Sequence, residues 1–533
     1  MKQKYLLFSI VFILVLELFQ NFLLSQTFTF TAVLNLFRYS PLYFAGYILV
    51  YIFAILAIGL IPMFRSRFLY YSALFLFVIS VAFNFGYIFI SEKPFHLLDL
   101  NLLVNEIHIH WVHVVKEYFV SISIALILGI ITVLTWIYIR RKSCIRIANS
   151  WSIALLLSFF SVLFIQYKTA ATFQPPLPAM LNIPAFSFLW QSFKPYMGDR
   201  DKLSELPQRN PDFQNIVWIV DCSVNGDFIS INNTDLNTTP FLQSIKNKMV
   251  NRGVVSSVTN CSATTNIFLL GLGGNSQIPD THETLLKSPN IFTFAKRAGY
   301  KTAYLSAQSN NRKLHNFMTK YDVEDIDYFH QPLTQSERSP VLADSELARH
   351  LKTYLTHNDS SFIYVLKSGV HFPWYNNYPQ NYTLNDSSQM ESMGDKTTQY
   401  FNALNWKTDR FFQILFEDGT ISENTLFIYT SDHGQIVKEE GNYLTHCNTH
   451  NPEIEEGKVP LFYLSDNLST VSNYLSTVKP NNHAEIITLT LHLMGYDAPV
   501  KESFPSGFLY GHLFPKHPLH QWAIKSLHPL YVE

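Results

Sequence analysis

Charge is scarce in this chain. Only 15% of its 533 residues are charged, against roughly a quarter in average globular chains. With 48% hydrophobic residues, that scarcity excludes a disordered chain, which would be charge-rich and apolar-poor. A surplus of either sign is also missing: 39 basic residues face 40 acidic ones, for a net charge of −1. No broad basic face for nucleic acid follows from that balance. Cysteine is rare, at four residues, which excludes a disulfide scaffold. No internal repeat stands out. At roughly 150 residues per domain, the length suggests about three domains.

The missing charge is concentrated in the first third. Apolar runs cover Lys4–Leu24, Leu42–Phe64, Phe68–Ile90, Tyr118–Ile139 and the shorter Trp151–Gln166. Crossing a bilayer core takes about 20 apolar residues, so the pattern predicts five membrane spans, the fifth marginal in length. The first run is too long for a cleaved signal peptide and lacks a small-residue cleavage site. Lys2 and Lys4, then Arg65 and Arg67, then Arg140, Arg141, Lys142 and Arg146 all fall on one side of a five-span bundle. That side is cytoplasmic by the positive-inside rule, and everything after about Tyr167 lies outside the cytoplasm. With four spans the same segment would lie inside.

Residues 168–210 read as a connector. Phe173–Pro178 is Pro-rich, and Pro184–Phe193 is apolar and aromatic, suited either to the lipid interface or to packing on a soluble domain. From Asn215 the texture changes. Asn215–Val220, Lys301–Leu305, Phe362–Leu366, Thr425–Tyr429 and Val459–Tyr463 are apolar runs of strand length. Helical patterns, including Pro240–Arg252 and Tyr400–Phe416, lie between them. The alternation predicts an α/β domain over 211–533 with a mainly parallel sheet, behind a five-span helical domain over 1–167.

Ligands of such sheets sit beyond the carboxyl ends of the strands. Three strands deliver chemistry there: Asp221 and Cys222, His371, and Asp432 with His433. Carboxylate, imidazole and thiolate converging at one edge suit a divalent metal, and Zn²⁺ accepts all three. Any one of these residues alone would more often be a turn or cap residue.

The stretch SDHGQIVKEEGNYLTH, followed by VPLFYLSD, resembles the alkaline phosphatase and sulfatase superfamily. It is most similar to the membrane phosphoethanolamine transferases that modify lipid A, which read SDHGESLGE…YLHG…VP. NIVWIVDCSVNGDFISINNT at Asn215–Thr234, TPFLQSI at Thr239–Ile245 and CSATTN at Cys261–Asn266 extend the likeness. The family's nucleophilic Thr lies four residues past its Cys, which lands on Thr265, with Thr264 as the neighbouring alternative. The resemblance further implies His371 and His446 as substrate-contacting residues and Asn105 as a lipid contact. It implies metal binding by Asp432, His433 and Thr265.

Several positions depart from the family. Its metal-binding Glu aligns with Cys222, which could serve as a thiolate ligand, or Asp221 could swing in. Ser262 stands for a Gly, Gly271 for a disulfide partner, and Gln435 for a Glu. Ile109 and His113 replace later polar positions of the lipid loop. Cys222, Cys261 and Cys447 are an odd number, so at least one is free or metal-bound.

The implied activity is transfer of phosphoethanolamine from phosphatidylethanolamine to lipid A or another envelope glycan. It would run through a phospho-Thr intermediate with one or two Zn²⁺ or another divalent metal. The implied protein is a monomer in the bacterial inner membrane with its catalytic domain in the periplasm. Phosphoglycerol transfer, phosphodiester or sulfate ester hydrolysis, and a non-catalytic member are the alternatives.

Overall fold

The computed structural model describes residues 4–24, 37, 41–91, 115, 118–168, 198–273, 280, 283–308, 314–332, 339–384, 394–416, 424–440, 443–448, 452–476, 482–497, 507–510 and 523–526. Asn105, Ile109, His113 and the runs Phe173–Pro178 and Pro184–Phe193 lie outside them. The chain divides into two compact units. One is Met1–Lys194 with Asn442–Leu444 and Lys516–Leu519; the other is Pro195–Gly441 with Thr445–Pro515 and His520–Glu533.

The first unit places helices on the apolar runs: α1 (Lys4–Leu24), α2 (Pro41–Leu60), α3 (Arg67–Ser91), α4 (Phe119–Lys142) and α5 (Asn149–Lys168). Among the described residues, Arg67–Ile90 and Phe119–Lys142 are the helices long and apolar enough to cross a membrane. The helix α5 extends beyond both ends of the Trp151–Gln166 run. Polar side chains join the helices in this apolar surround. Tyr51 donates to Glu17 at 3.0 Å, and Asn84 donates to Gln20 at 2.5 Å. Arg140 on α4 donates to the Phe64 carbonyl at 2.6 Å, bracing the turn between α2 and α3.

The second unit is built on a seven-stranded sheet in the order β2-β7-β6-β1-β5-β3-β4. Its strands are β1 (Asn215–Asp221), β2 (Met249–Ser256), β3 (Lys301–Ser306), β4 (Tyr328–His330), β5 (Ser361–Leu366), β6 (Thr425–Ser431) and β7 (Lys458–Leu464). Parallel pairing joins β6, β1, β5, β3 and β4; β7 runs antiparallel to both β6 and β2. The sheet is therefore mixed. A parallel β7 would need a crossover, and between β6 and β7 the described residues hold only the 3₁₀ turn Ile454–Gly457.

Every residue of β1, β5, β6 and β7 is buried, which explains their unbroken apolar texture. Trp218 on β1 is fully buried, and its indole N–H donates to Thr490 at 2.8 Å. Truncating so large a core residue typically costs about 3–5 kcal/mol.

Two helical readings change. The run Pro240–Arg252 is helical only as α6 (Pro240–Ser244), followed by a 3₁₀ turn at Lys246–Lys248. From Met249 it is β2, because pairing with β7 outweighs local helix preference. Further along come α7 (Ser262–Leu270), α8 (Ala343–His357), α9 (Asp395–Leu404) and α10 (Arg410–Leu415). A π-turn at Asn405–Asp409 separates α9 from α10. It turns Lys407, Thr408 and Asp409 into the protein interior. Residues 198–210, the described end of the connector, are bonded into this unit, with Gln208 N–H donating to the Gly495 carbonyl at 2.7 Å.

Candidate functional site

The parallel strands β1 and β6 lie side by side, so their carboxyl ends release the chain together. Past β1 come Cys222 and Ser223, the latter at φ +62°. Past β6 come Asp432, His433 and Gly434. The Asp432 N–H donates to the Asp221 carbonyl at 2.9 Å, which locks the two exits in register. Ser431 adds a second tie, accepting from Val224 N–H at 3.0 Å and donating to the His433 carbonyl at 3.0 Å.

This geometry brings together Cys222 Sγ, a carboxylate oxygen of Asp432 and a ring nitrogen of His433, all within 4.8 Å of one another and all fully buried. The His433 Nδ1 pairs with the Gly434 carbonyl at 2.7 Å, leaving Nε2 to face the cluster. Asp432 Oδ1 accepts from the His433 N–H at 2.8 Å, while the buried Oδ2 has no hydrogen-bond partner. A buried carboxylate oxygen without a donor is costly, and a cation satisfies it. Thiolate, imidazole and carboxylate make a donor set that fits Zn²⁺. Burial, with the Asp432 charge adding to it, pushes the Cys222 thiol up to about 11. For His433 burial works downward, but the Asp432 charge and Cys222 outweigh it and the pKa rises.

The backbone of Cys222 is held from the β5 side. Gly369, at φ +72°, lies so close that a Cβ there would come within 2.3 Å of the Cys222 carbonyl oxygen. The Val370 N–H donates to that same oxygen at 2.9 Å.

Asp221 does not join the cluster. Strand alternation turns its side chain to the opposite face, into a buried ion pair with Lys367. There it also accepts from Thr408 and Tyr429, each at 2.9 Å. Both partners of the pair are fully buried, so removing the anion strands a cation. Asp221→Asn is expected to lower the unfolding free energy of the full chain by about 3–5 kcal/mol. Denaturant unfolding would measure this, and an unchanged midpoint would contradict the assigned ion pair.

Thr265 is hydrogen-bonded within its own segment. It lies at the fourth position of α7, fully buried, with its hydroxyl 2.8 Å from Thr259 Oγ1 and donating to the Thr259 carbonyl at 3.2 Å. Thr264 bonds Thr259 as well, at 2.6 Å. Two hydroxyls meet the cluster: Ser223, with Oγ 3.7 Å from Cys222 Sγ, and Ser262, the first residue of the helix. The Ser262 Oγ is 3.1 Å from His433 Nε2 and 3.5 Å from Cys222 Sγ. In the sequence Ser262 stands only as a departure from the family's Gly. The available signal was the helix start itself, where the orphan N–H groups and positive dipole end attract anions.

His446 stacks on His433, with ring centroids 4.2 Å apart and planes inclined by 19°. His371 meets His446 edge-on at 5.7 Å. The three imidazoles therefore line one side of the site. A disulfide between Cys261 and Cys447 joins the start of α7 to the segment carrying His446. Cys222 is free and buried.

Residues 214–496 match the sulfatase family. The chain is 23% identical over 325 residues to the Kdo(2)-lipid A phosphoethanolamine 7''-transferase of Salmonella typhimurium, covering 56% of this chain and 54% of that protein. The Escherichia coli enzyme of the same name is 23% identical over 321 residues, covering 55% and 54%. The chain thus spans about half the length of these relatives. Among solved structures, the integral membrane lipooligosaccharide phosphoethanolamine transferase A of Neisseria meningitidis shares the fold at a TM-score of 0.58. The identity is 15%, and the match covers 90% of this chain and 95% of that one. The C-terminal periplasmic domain of EcEptC from Escherichia coli aligns at a TM-score of 0.50 and 18% identity, covering 62% and 97%. These relatives agree with the resemblance carried by the sequence motifs.

Proposed function

The chain belongs to the sulfatase family, and from that premise we propose that it is a membrane-bound transferase. It moves phosphoethanolamine from phosphatidylethanolamine to lipid A or another envelope glycan. The observation that carries this reading is the Ser262 hydroxyl, 3.1 Å from His433 and 3.5 Å from Cys222 at the head of a helix.

Cys222, Asp432 and His433 would hold a divalent ion, zinc by the character of the donors. An ion bound there would supply Lewis acidity, lowering the pKa of the neighbouring hydroxyl and drawing charge from the phosphoryl oxygens. Ser262 Oγ attacks the donor phosphorus in line, and the bond from phosphorus to the diacylglycerol oxygen breaks. The proton lost by Ser262 ends on the diacylglycerol hydroxyl, carried by His446. Backbone N–H groups at the start of α7 face the phosphoryl charge. The acceptor then attacks the phospho-serine, His446 takes its proton, and Ser262 is restored. His371 orients the ethanolamine phosphate at the open side.

Five spans over 1–167 and a connector over 168–210 carry a catalytic domain over 211–533, which works as a monomer on the periplasmic side of the inner membrane. Support for the five spans comes from the five apolar helices. Support for the compartment comes from the Cys261–Cys447 disulfide, since such bonds persist in oxidising surroundings.

The test is mass spectrometry of envelope lipids and glycans from cells with and without the gene, joined to metal analysis of the purified chain. A phosphoethanolamine mass increment on one glycolipid and zinc lost on Asp432→Ala are the expected results. Metal-free protein under zinc-replete conditions would overturn the mechanism. A phosphoglycerol increment would replace the donor.

A further inference from the structure

We propose that the Cys261–Cys447 disulfide is a positioning clamp that holds the His446 imidazole against the Ser262–His433 pair. The inference rests on the reading of Ser262 as the attacking group. Each cysteine is the immediate neighbour of a site residue: Cys261 precedes Ser262 and Cys447 follows His446. The bond therefore ties the helix start that presents the hydroxyl to the segment that presents the imidazole.

The tie is needed because residues 445–448 belong to neither helix nor strand. Regular structure does not fix His446 as it fixes His433. The Ile436 N–H holds one end of the segment, donating to the Thr445 carbonyl at 2.9 Å, and further contacts gather around the disulfide. The Cys447 N–H donates to the Asn260 carbonyl at 2.9 Å, and Asn260 Nδ2 donates back to the Asn448 carbonyl at 3.0 Å. Buried Glu456 gathers both asparagines, accepting from Asn260 at 2.8 Å and from the Asn448 N–H at 3.0 Å. Cys447 sits at φ +59°, in the left-handed region. A non-glycine residue keeps that conformation only when its surroundings impose it. Covalent bond, backbone pair and carboxylate together over-determine the position of one residue next to His446.

The ring of His446 stacks on His433 at 4.2 Å. Its Nδ1 also pairs with the Thr445 hydroxyl at 3.1 Å, a neighbour that belongs to the same irregular segment. Opening the disulfide leaves the fold and the Cys222–Asp432–His433 cluster in place and lets His446 drift. A drift of about 1 Å in a proton-carrying group costs on the order of 10²-fold in rate. Reduction is balanced simply: two electrons and two protons from an added dithiol convert the S–S bond into two thiols, and the dithiol closes to its own disulfide.

The experiment uses the full chain in phosphatidylethanolamine vesicles and follows phospho-serine formation by intact mass. Four proteins are compared: wild type, the Cys261→Ser/Cys447→Ser pair, His446→Ala, and all three changes together. The paired serines and His446→Ala should each slow adduct formation by about 10²-fold. The triple variant should be no slower than His446→Ala alone, because the clamp acts through that ring. Full wild-type rate in the paired variant, or losses that multiply in the triple variant, would overturn the clamp. Should the paired variant not fold, the dithiol-reduced wild type replaces it.

A second measurement separates this inference from the transferase reading. Reduction should speed amide hydrogen exchange across 445–448 by at least about tenfold while β1 and β6 stay protected. Exchange that does not change on reduction sinks the clamp, whatever the activity. Faster exchange without any adduct in the oxidised protein keeps the clamp as an anchor of His446 and sinks the transferase reading.

Discussion

Ser262→Ala is expected to abolish phospho-enzyme formation, lowering transfer by at least about 10⁴-fold, the scale seen when a sole nucleophile is removed. Thr265→Ala is expected to keep most activity. The two hydroxyls are three residues apart on α7, which is about 4.5 Å along a helix axis. That distance separates a group in contact with His433 from one enclosed by Thr259. Thr265→Ala should instead destabilise the fold by about 1–2 kcal/mol, the usual loss when a buried hydroxyl and its partner are unpaired. Peptide mapping after incubation with phosphatidylethanolamine vesicles distinguishes the outcomes. An adduct on Thr265 that survives Ser262→Ala would move the attacking hydroxyl to Thr265.

The second large effect concerns Cys222. If its thiolate is one of the ligands, Cys222→Ala should weaken zinc binding by about 10²- to 10³-fold. That is one ligand's share of a binding free energy of about 10–16 kcal/mol. Cys222→Ser should weaken it less. Cys222→Glu restores the carboxylate that the resembled transferases carry and should keep or raise both affinity and transfer. Competition with a chromophoric chelator gives the affinities. Equal zinc affinity in wild type and Cys222→Ala would take the thiol out of the coordination sphere and leave Asp432 and His433 without it.

The sequence made much of this legible, for physical reasons that differ from residue to residue. The strands β1 and β6 were readable because both of their faces are buried, so no polar residue interrupts them. Asp432 and His433 followed, since a strand end is where a buried run stops and chemistry begins. The exclusion of Asp221 was latent in strand alternation. Its partners Lys367, Thr408 and Tyr429 were not legible, because they come from three other elements. The π-turn that swings Thr408 inward has no local signature. The contact of Ser262 with His433 was not legible, because it is made with a strand end 171 residues away. The start of β2 read as helix, because a strand made by pairing with a distant partner leaves little trace in its own thirteen-residue window.

The disulfide was the least legible feature, its two cysteines standing 186 residues apart. That separation has a consequence of its own. The closed loop contains β3, β4, β5 and β6, four of the seven strands. In the chain-entropy treatment, closing a loop of that length removes freedom from the unfolded ensemble equivalent to about 5 kcal/mol. Oxidation must wait until the chain has emerged beyond Cys447, so a half-made polypeptide lacks this restraint on its disorder. Once closed, the loop turns more than half of the catalytic sheet into a ring whose unfolded states cannot spread apart.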